Sequence, residues 1–358
     1  MNILQLNFER GWRGGERQTL LCMEQFRAAG HEVALLARRG GELALRARAA
    51  GFVVHEFGNA MGVAAFLLRK RSAYDILHAQ TANMLTWLAL LKPYLSAPVV
   101  FTRRTAFPVP AKREARTAWK WRKVDLMVAI SQAAAQEPER LGVSTQVIPS
   151  AIQPRPLDAD HLQSFSQAWN LRGRLVLATA AAMTKEKDPC TLIRAVHELS
   201  QRRDDFVFLH LGAGGDSESQ ARSLVRELGL EEQYLFTGFQ EGIEDLYRLM
   251  DGFVLSSRHE ALGTSVLDAF QYGVPVVATD TGGLSEILAD GRGLLCPVGD
   301  HAAMAMAMDR VLSDRVMRAS MIEAARDYVR QEHDAVVMGA RYLDAYRGVV
   351  GAKDGSTP

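Results

Sequence analysis

Strand-length runs of aliphatic and β-branched residues alternate along the chain with longer segments of helical apolar period. MNILQLNF, EVALLA, DILHA, APVVFT, DLMVAIS and TQVIPS are the runs before residue 151; RLVLATAAA, FVFLHLG, QYLFTG, GFVLSS and VPVVATD follow it. These runs are apolar nearly throughout, the mark of strands buried on both faces, and helix-length segments separate them. Both features predict parallel sheets covered by helices on each side. PSAIQPRPLDAD, at 149–160, is the Pro-dense stretch between the two series and reads as a linker, with a helical segment near 161–170 after it. No short repeat period appears, which disfavours solenoids and propellers. The expected architecture is two doubly wound parallel-sheet α/β domains, 1–155 and 156–334, facing each other. Ligands of such sheets bind at the carboxyl ends of the strands, so the cleft between the domains is the expected site.

Composition fits this picture. A length of 358 residues suits two domains, and a chain 48% hydrophobic and 23% charged has the make-up of an ordinary globular protein. The longest apolar run, Met84–Leu91, is far short of the ~20 residues that span a bilayer. MNILQLNF lacks a basic leader and reads as a strand rather than a signal peptide. Three widely spaced cysteines suggest neither a disulfide framework nor a metal site and fit a reducing cytoplasm. GAKDGSTP, at the C-terminus, is the segment expected to be disordered. The net charge of +1 conceals an asymmetry. Residues 1–165 hold 22 Lys and Arg against 13 Asp and Glu, net +9, and the remainder holds 20 against 28, net −8. The first half is therefore expected to attract something anionic.

Three turns carry candidate chemistry. The first strand leads into Gly11-Trp12-Arg13-Gly14-Gly15, with helix expected from about Gln18. Glycines there allow close approach of a ligand to backbone amides, although a plain strand-to-helix turn has the same composition. The spacing is not that of a dinucleotide fingerprint, and Ala37-Arg38-Arg39 puts no acid at the end of the second strand. Gly212-Ala213-Gly214-Gly215 makes a similar turn in the second half. Lys185-Glu186-Lys187-Asp188-Pro189 opens a helix, where a lysine opposes the macrodipole unless an anion is shared; a solvated charge cluster is the alternative.

HEALGTSVLDAF, at 259–270, is the most informative stretch. Thr264 or Ser265 can cap the helix that follows, and Ala261, Leu262, Gly263 and Thr264 leave uncharged backbone amides to face a phosphate. Glu260 and Asp268 flank that helix start and would repel the phosphate, so they must serve other atoms of a ligand. Vicinal hydroxyls suit a carboxylate. A diphosphate over the helix start with a sugar on one acid and a ribose on the other describes a nucleotide sugar. A helix-start charge plus a surface acid is the bland alternative.

This stretch resembles the signature of the retaining family-4 glycosyltransferases of the GT-B fold, a Glu followed after seven residues by a second Glu. Glu260 matches the first acid, and Asp268 replaces the second with a shorter carboxylate. The likeness continues through Gly14-Gly15, Asp75–His78, Val147–Pro149, Lys187, Gly212–Gly214, Phe236–Gly238, Ser256-Ser257, Gly273–Val277, Gly282-Gly283 with Glu286, and Gly293. The resemblance implies two Rossmann-like domains, the first binding the acceptor and the second the nucleotide-sugar donor, with a C-terminal helix at about 335–352 returning to the first. It assigns donor sugar hydroxyls to Glu260, diphosphate to Lys187 and the 261–264 amides, and ribose to Asp268. Gly14, Gly15, Gly212, Gly214 and Phe239 complete the expected donor site. Two departures stand out: Ala181-Ala182 occupy the position of the family's Arg, and Arg103-Arg104 follow the strand after which the family often has a His.

The implied activity is transfer of a sugar, with retention, from a UDP-, GDP- or ADP-linked donor to a glycan or lipid-linked acceptor of the bacterial cell envelope, such as lipopolysaccharide. No metal or other cofactor is expected, since the chain shows no DxD motif or His/Asp cluster. Nucleic acid is not an expected partner. A catalytically impaired sugar-nucleotide-binding protein and a nucleotide-sugar 2-epimerase of the same fold are the competing readings; a dinucleotide oxidoreductase lacks its motif. Residues 110–123 hold six basic residues against one acid. A helix there with Ala111, Ala115, Ala118 and Trp119 on its apolar side would present Lys112, Arg113, Arg116 and Lys120, with Arg103 and Arg104 nearby, to an anionic acceptor or the cytosolic face of the inner membrane. A packed, solvated surface helix is the alternative.

Overall fold

The computed structural model describes residues 1–354, which form two α/β units. The first unit comprises Met1–Ala151 and the chain from Glu332 onward; the second is Ile152–Gln331. The chain thus changes unit at 151/152 and 331/332, slightly before the boundaries at 155/156 and 334/335 expected from sequence.

The first unit is built on seven parallel strands: β1 (Asn2–Asn7), β2 (Glu32–Arg38), β3 (Val53–Phe57), β4 (Ile76–Ala79), β5 (Val99–Arg103), β6 (Leu126–Ala129) and β7 (Gln146–Val147). Their order is β3-β2-β1-β4-β5-β6-β7. Side chains alternate across the sheet, so Leu4 and Leu6 join Leu36, Leu77 and Phe101 in one core layer. Ile3, Ile76, Val100 and Val128 line the opposite layer with Cys22 and Phe26. That layer is closed by the last helix, Ala335–Asp354, whose Tyr342 and Tyr346 rings meet Phe26 edge-on at 6.2 and 5.5 Å. A side chain at Gly339 would stand 2.7 Å from Gln25 Cβ, so this helix seats on Gly14–Ala28 only with glycine at that crossing.

The second unit has six parallel strands: β8 (Leu175–Ala180), β9 (Phe206–Leu211), β10 (Tyr234–Gly238), β11 (Gly252–Leu255), β12 (Val276–Thr279) and β13 (Leu294–Cys296). The order is β10-β9-β8-β11-β12-β13. Leu177, Phe208, Val254 and Val277 pack with the helices Pro189–Ser200 and His301–Ser313 in one fully buried layer. Both sheets wind outward from a central first strand, then return to its other side. The connections diverge at β1/β4 and at β8/β11, which opens a crevice at the carboxyl ends of those strands within each unit.

Several local expectations change. The first long helix begins at Gly14 rather than near Gln18, because Glu16 turns back to accept a hydrogen bond from the Arg13 amide at 3.0 Å. The run Met84–Leu91 lies in the helix Ala82–Leu91, and no helix of the described residues is long and apolar enough to cross a membrane. Gly351–Asp354, expected to be disordered, extend the last helix; residues 355–358 of that tail lie outside the described part.

Candidate active site

In the second unit two loops cross at the β8/β11 crevice. The loop after β8 carries Lys187 and ends at Asp188, which caps the helix Pro189–Ser200. Asp188 holds a left-handed backbone (φ 44°), a conformation Asp tolerates, and its carboxylate accepts the Thr191 hydroxyl at 2.8 Å and the Thr191 amide at 3.3 Å. Proline at the next position is pre-set for a helix start. The loop after β11 is tied to this turn by its own residues. The Ser256 hydroxyl donates to the Lys187 and Asp188 carbonyls at 2.8 and 3.0 Å. The Arg258 amide donates to Glu186 at 2.7 Å, and its guanidinium pairs with Asp188 at 2.9 Å.

That cross-tie delivers Lys187 against Glu260: ammonium and carboxylate form an ion pair, and the Ser257 hydroxyl donates to the same carboxylate oxygen at 3.3 Å. Below them, Gly282 (φ 51°) and Gly283 let the turn after β12 pass under the loop. A Cβ at these positions would lie 2.1 and 2.3 Å from the carbonyl oxygens of Glu260 and Ala261. Glu260 is thereby fixed from three sides.

The helix Thr264–Tyr272 starts from Gly263, in a left-handed conformation (φ 89°). Neither Thr264 nor Ser265 caps it, contrary to the sequence expectation; no side chain does. The Val266 amide makes the first bond of the helix, to the Gly263 carbonyl at 2.9 Å; the Thr264 and Ser265 amides ahead of it give this turn positive partial charge beside the Lys187–Glu260 pair. Asp268 lies in the second turn and is only 4% exposed, which removes the reading of it as a surface acid. Phe239, on the loop after β10, is 63% exposed.

Gly212 and Gly214 contribute room rather than amides. The Gly212 amide is taken by the Gly238 carbonyl at 2.8 Å and that of Gly214 by the Glu218 carboxylate at 2.8 Å. A Cβ on Gly212 would lie 2.0 Å from the Ala181 carbonyl oxygen, so glycine here lets the loop after β8 lie close. Nearby His210 bridges Tyr234 and the Ala181 carbonyl at 2.7 and 3.1 Å, and burial pushes its pKa down to about 4.

In the first unit Gly14 and Gly15 form the first turn of their helix, and a Cβ on Gly15 would meet Arg104 Cδ at 3.7 Å, an ordinary contact. Arg103 and Arg104 have different fates. Arg103 ends β5 and is 4% exposed. Its guanidinium donates to the Ala134 and Phe107 carbonyls at 2.7 and 2.5 Å and lies over the Trp121 ring. Burial lowers its pKa to about 10. Arg103 is a packing residue, and the expectation that it meets acceptor or membrane is withdrawn. Arg104 is half-buried at the carboxyl end of β5 and donates to Gln80 and Ser150.

The basic segment folds as a short 3-10 turn, Ala111–Arg113, and a helix, Glu114–Trp121. The packed side is Ala118 with Trp121, whereas Ala111 and Ala115 are exposed and Trp119 is 41% exposed; the expected Ala/Trp119 stripe is corrected accordingly. Lys112, Arg113 and Arg116 are exposed; Lys120 is half-buried, 3.3 Å from the Thr86 hydroxyl.

Sequence reasoning missed the residues that aim Lys187. The Asp188-Pro189 step is a legible helix start, but nothing local announces that Ser256 and Arg258, about 70 positions on, hold it. His78 was read as part of a strand and of the family likeness, with no role assigned to it. It is buried, bridges Tyr346 and Thr102 at 2.6 and 2.8 Å, and burial holds its pKa well below the usual histidine range.

Two doubly wound units, with a cation and a carboxylate paired beside an uncapped helix start in the second, define a protein of the GT-B class. Known proteins agree. Residues 12–155 match the model of Glycosyltransferase Family 4 and residues 163–328 that of Glycosyl transferases group 1, which together take in most of the chain. The chain belongs to the family-4 glycosyltransferases. Among curated relatives, the 2-deoxystreptamine glucosyltransferase of Streptomyces kanamyceticus is 28% identical over 57% of this chain and 54% of its own length. The lipopolysaccharide core biosynthesis glycosyltransferase LpsE of Rhizobium meliloti is 29% identical over 42% and 44%. The chain thus spans about half the length of the curated relatives it matches. Among solved structures, Anabaena Alr3699/HepE in complex with UDP and glucose superposes with a TM-score of 0.86, at 20% identity over 96% of this chain and 99% of that one. A glycosyltransferase from Rickettsia africae gives 0.85 at 19% identity, over 98% of both chains. These structures share the fold.

Proposed function

We propose that this chain moves a sugar, with retention of anomeric configuration, from a nucleotide-sugar donor to a glycan or lipid-linked acceptor of the cell envelope. The observation that carries the reading is the Lys187–Glu260 pair set beside the uncapped start of helix Thr264–Tyr272. Departure of a nucleoside diphosphate builds negative charge on a phosphate oxygen, and a fixed ammonium with aligned amides stabilises it. Lys187 and the 261–264 amides take the diphosphate, Glu260 the sugar hydroxyls and Asp268 the ribose; Phe239 lies with the donor as well. The incoming hydroxyl attacks from the side the diphosphate leaves, passing its proton to the departing phosphate oxygen. The lysine supplies the cation, so no metal is required. Support for the donor comes from the HepE complexes with UDP and with UDP-glucose, and for the acceptor from relatives named for lipopolysaccharide core synthesis. The test is turnover of UDP-, GDP- and ADP-sugars, with and without excess EDTA. Release of free diphosphate nucleotide from none of them defeats the reading, a 2-epimerised sugar nucleotide replaces it, and loss of activity in EDTA defeats the metal-free step.

A second observation favours work at the cytosolic face of the inner membrane. Trp119 is 41% exposed on the helix Glu114–Trp121 that carries the exposed Arg116, and exposed Lys112 and Arg113 precede it directly. Each Lys or Arg near an anionic surface contributes about 1 kcal/mol, and exposed aromatics suit the headgroup layer. Salt-sensitive sedimentation with anionic but not neutral vesicles is the expected result; equal binding to both, or none, removes it.

A further inference from the structure

Arg104, unlike the enclosed Arg103, stands half-buried at the carboxyl end of its strand with a charge that no acid answers. Its guanidinium donates to Gln80 Oε1 at 2.7 and 3.2 Å and to Ser150 Oγ at 3.1 Å, three of its five N–H groups, and both acceptors are neutral. No carboxylate among the described residues pairs with it. Glu16, in the first turn of the helix Gly14–Ala28, is committed to Asn7 and to the Arg13 amide. The titratable groups that feel Arg104 are uncharged near neutrality. Burial pushes the Cys22 thiol up to about 11 and the Tyr342 hydroxyl up to about 12. Burial likewise raises Tyr346, and it holds His78 neutral, with the Arg104 charge acting in the same direction on the imidazole.

A half-buried guanidinium is normally paired, because its desolvation otherwise goes uncompensated. Here the neighbours hold it in place without neutralising it. Gln80 follows β4 directly and is itself fixed by Gln5 at 2.8 Å, while the Ser150 carbonyl is bound by His333 at 2.7 Å. The fork is therefore rigid, and rigidity is what bidentate recognition of a planar or tetrahedral anion requires.

We propose that Arg104 is an anion-receiving residue, its guanidinium taking a phosphate or carboxylate group of a ligand that docks at the carboxyl ends of β4 and β5. The proposal rests on the transferase reading only for which substrate brings the anion, the acceptor or the donor diphosphate; its test reads binding without turnover.

The full chain is titrated with inorganic phosphate, followed by the guanidinium Nε–H signal of Arg104, and with UDP, followed by calorimetry, in wild type, Arg104→Gln and Arg104→Lys. Phosphate should move that signal in wild type and stabilise wild type against heat, with the stabilisation clearly smaller in Arg104→Gln and intermediate in Arg104→Lys. UDP affinity unchanged by Arg104→Gln assigns the anion to the acceptor; a fall of about tenfold or more assigns it to the donor. Arg104→Lys keeps the charge, so it remains informative if the glutamine variant folds poorly. An Arg104 signal that phosphate leaves in place, with equal stabilisation of all three proteins and equal UDP affinity, overturns the proposal.

Discussion

On the crossed loops of the second unit Lys187 and Arg258 face carboxylates: Lys187 meets Glu260, and Arg258 meets Asp188. In the first unit Arg104 follows β5, the counterpart of β12 and one strand further from the crevice, and has only the amide of Gln80 and the hydroxyl of Ser150. An internal ion pair must be rearranged before a ligand carrying both phosphate and hydroxyls can use its two halves, whereas a cation held by neutral groups is ready for an anion. The first arrangement suits a ligand that offers partners to both charges; the second suits one that brings only negative charge.

Breaking the paired side has the largest expected consequence. Lys187→Ala and Glu260→Ala should each lower kcat by ~10²–10³ without unfolding the protein. Steady-state rates with circular dichroism check this, and near-wild-type turnover in either variant removes the assignment.

The buried imidazoles sharpen the comparison by pH. His210 in the folded state has a pKa near 4, against about 6.5 unfolded. Below pH 6.5 the unfolded chain takes up a proton that the folded one refuses. Stability is therefore full above that value and falls by roughly 3 kcal/mol as pH drops towards 4. Urea unfolding at pH 7.5 and 4.5 should show a shallower loss in His210→Gln; an unchanged difference between the two pH values refutes the linkage.

A smaller effect tests the cross-tie. Asp188→Ala removes a helix cap, about 1 kcal/mol, and releases Arg258, so turnover should drop about tenfold through misplacement of Lys187. Asp188→Asn keeps the cap and should recover stability more than rate. If both variants recover together, Asp188 is structural only. Smallest is Asp268→Asn, expected to raise donor KM a few-fold with kcat nearly kept, because a ribose contact serves ground and transition states alike. A large fall in kcat at saturating donor contradicts that role.

Much of this was legible from residue order. Eleven apolar runs predicted strands in both series, and the two that escaped, β3 and β13, lie at the open end of their sheets. An edge strand is buried on fewer sides, so its sequence is less uniformly apolar: Val53 is 60% exposed and Leu295 37%. Lys187 stood out because a lysine at a helix start opposes the macrodipole, and Glu260 with Asp268 because their spacing about a phosphate-ready helix start matches the family signature. Arg258 and Gln80 did not, and Ser256 counted only as part of the family likeness, since their meaning comes from partners far along the chain. Arg103 and Arg104 looked equivalent as neighbours in sequence. Strand alternation turns one of them into the core beside Trp121 and leaves the other at the strand end.

The helix Ala335–Asp354 completes a layer begun by residues near the N-terminus. During synthesis, Ile3, Phe26, Val100 and Val128 must therefore wait for Tyr342 and Tyr346 to leave the ribosome. The second unit, continuous from Ile152 to Gln331, emerges whole before that happens. The unit encoded first is therefore the one whose apolar layer is completed last, and until then that layer is exposed surface of the kind that aggregates. A stop codon a few positions before Tyr342 would cost the molecule its first unit rather than its tail.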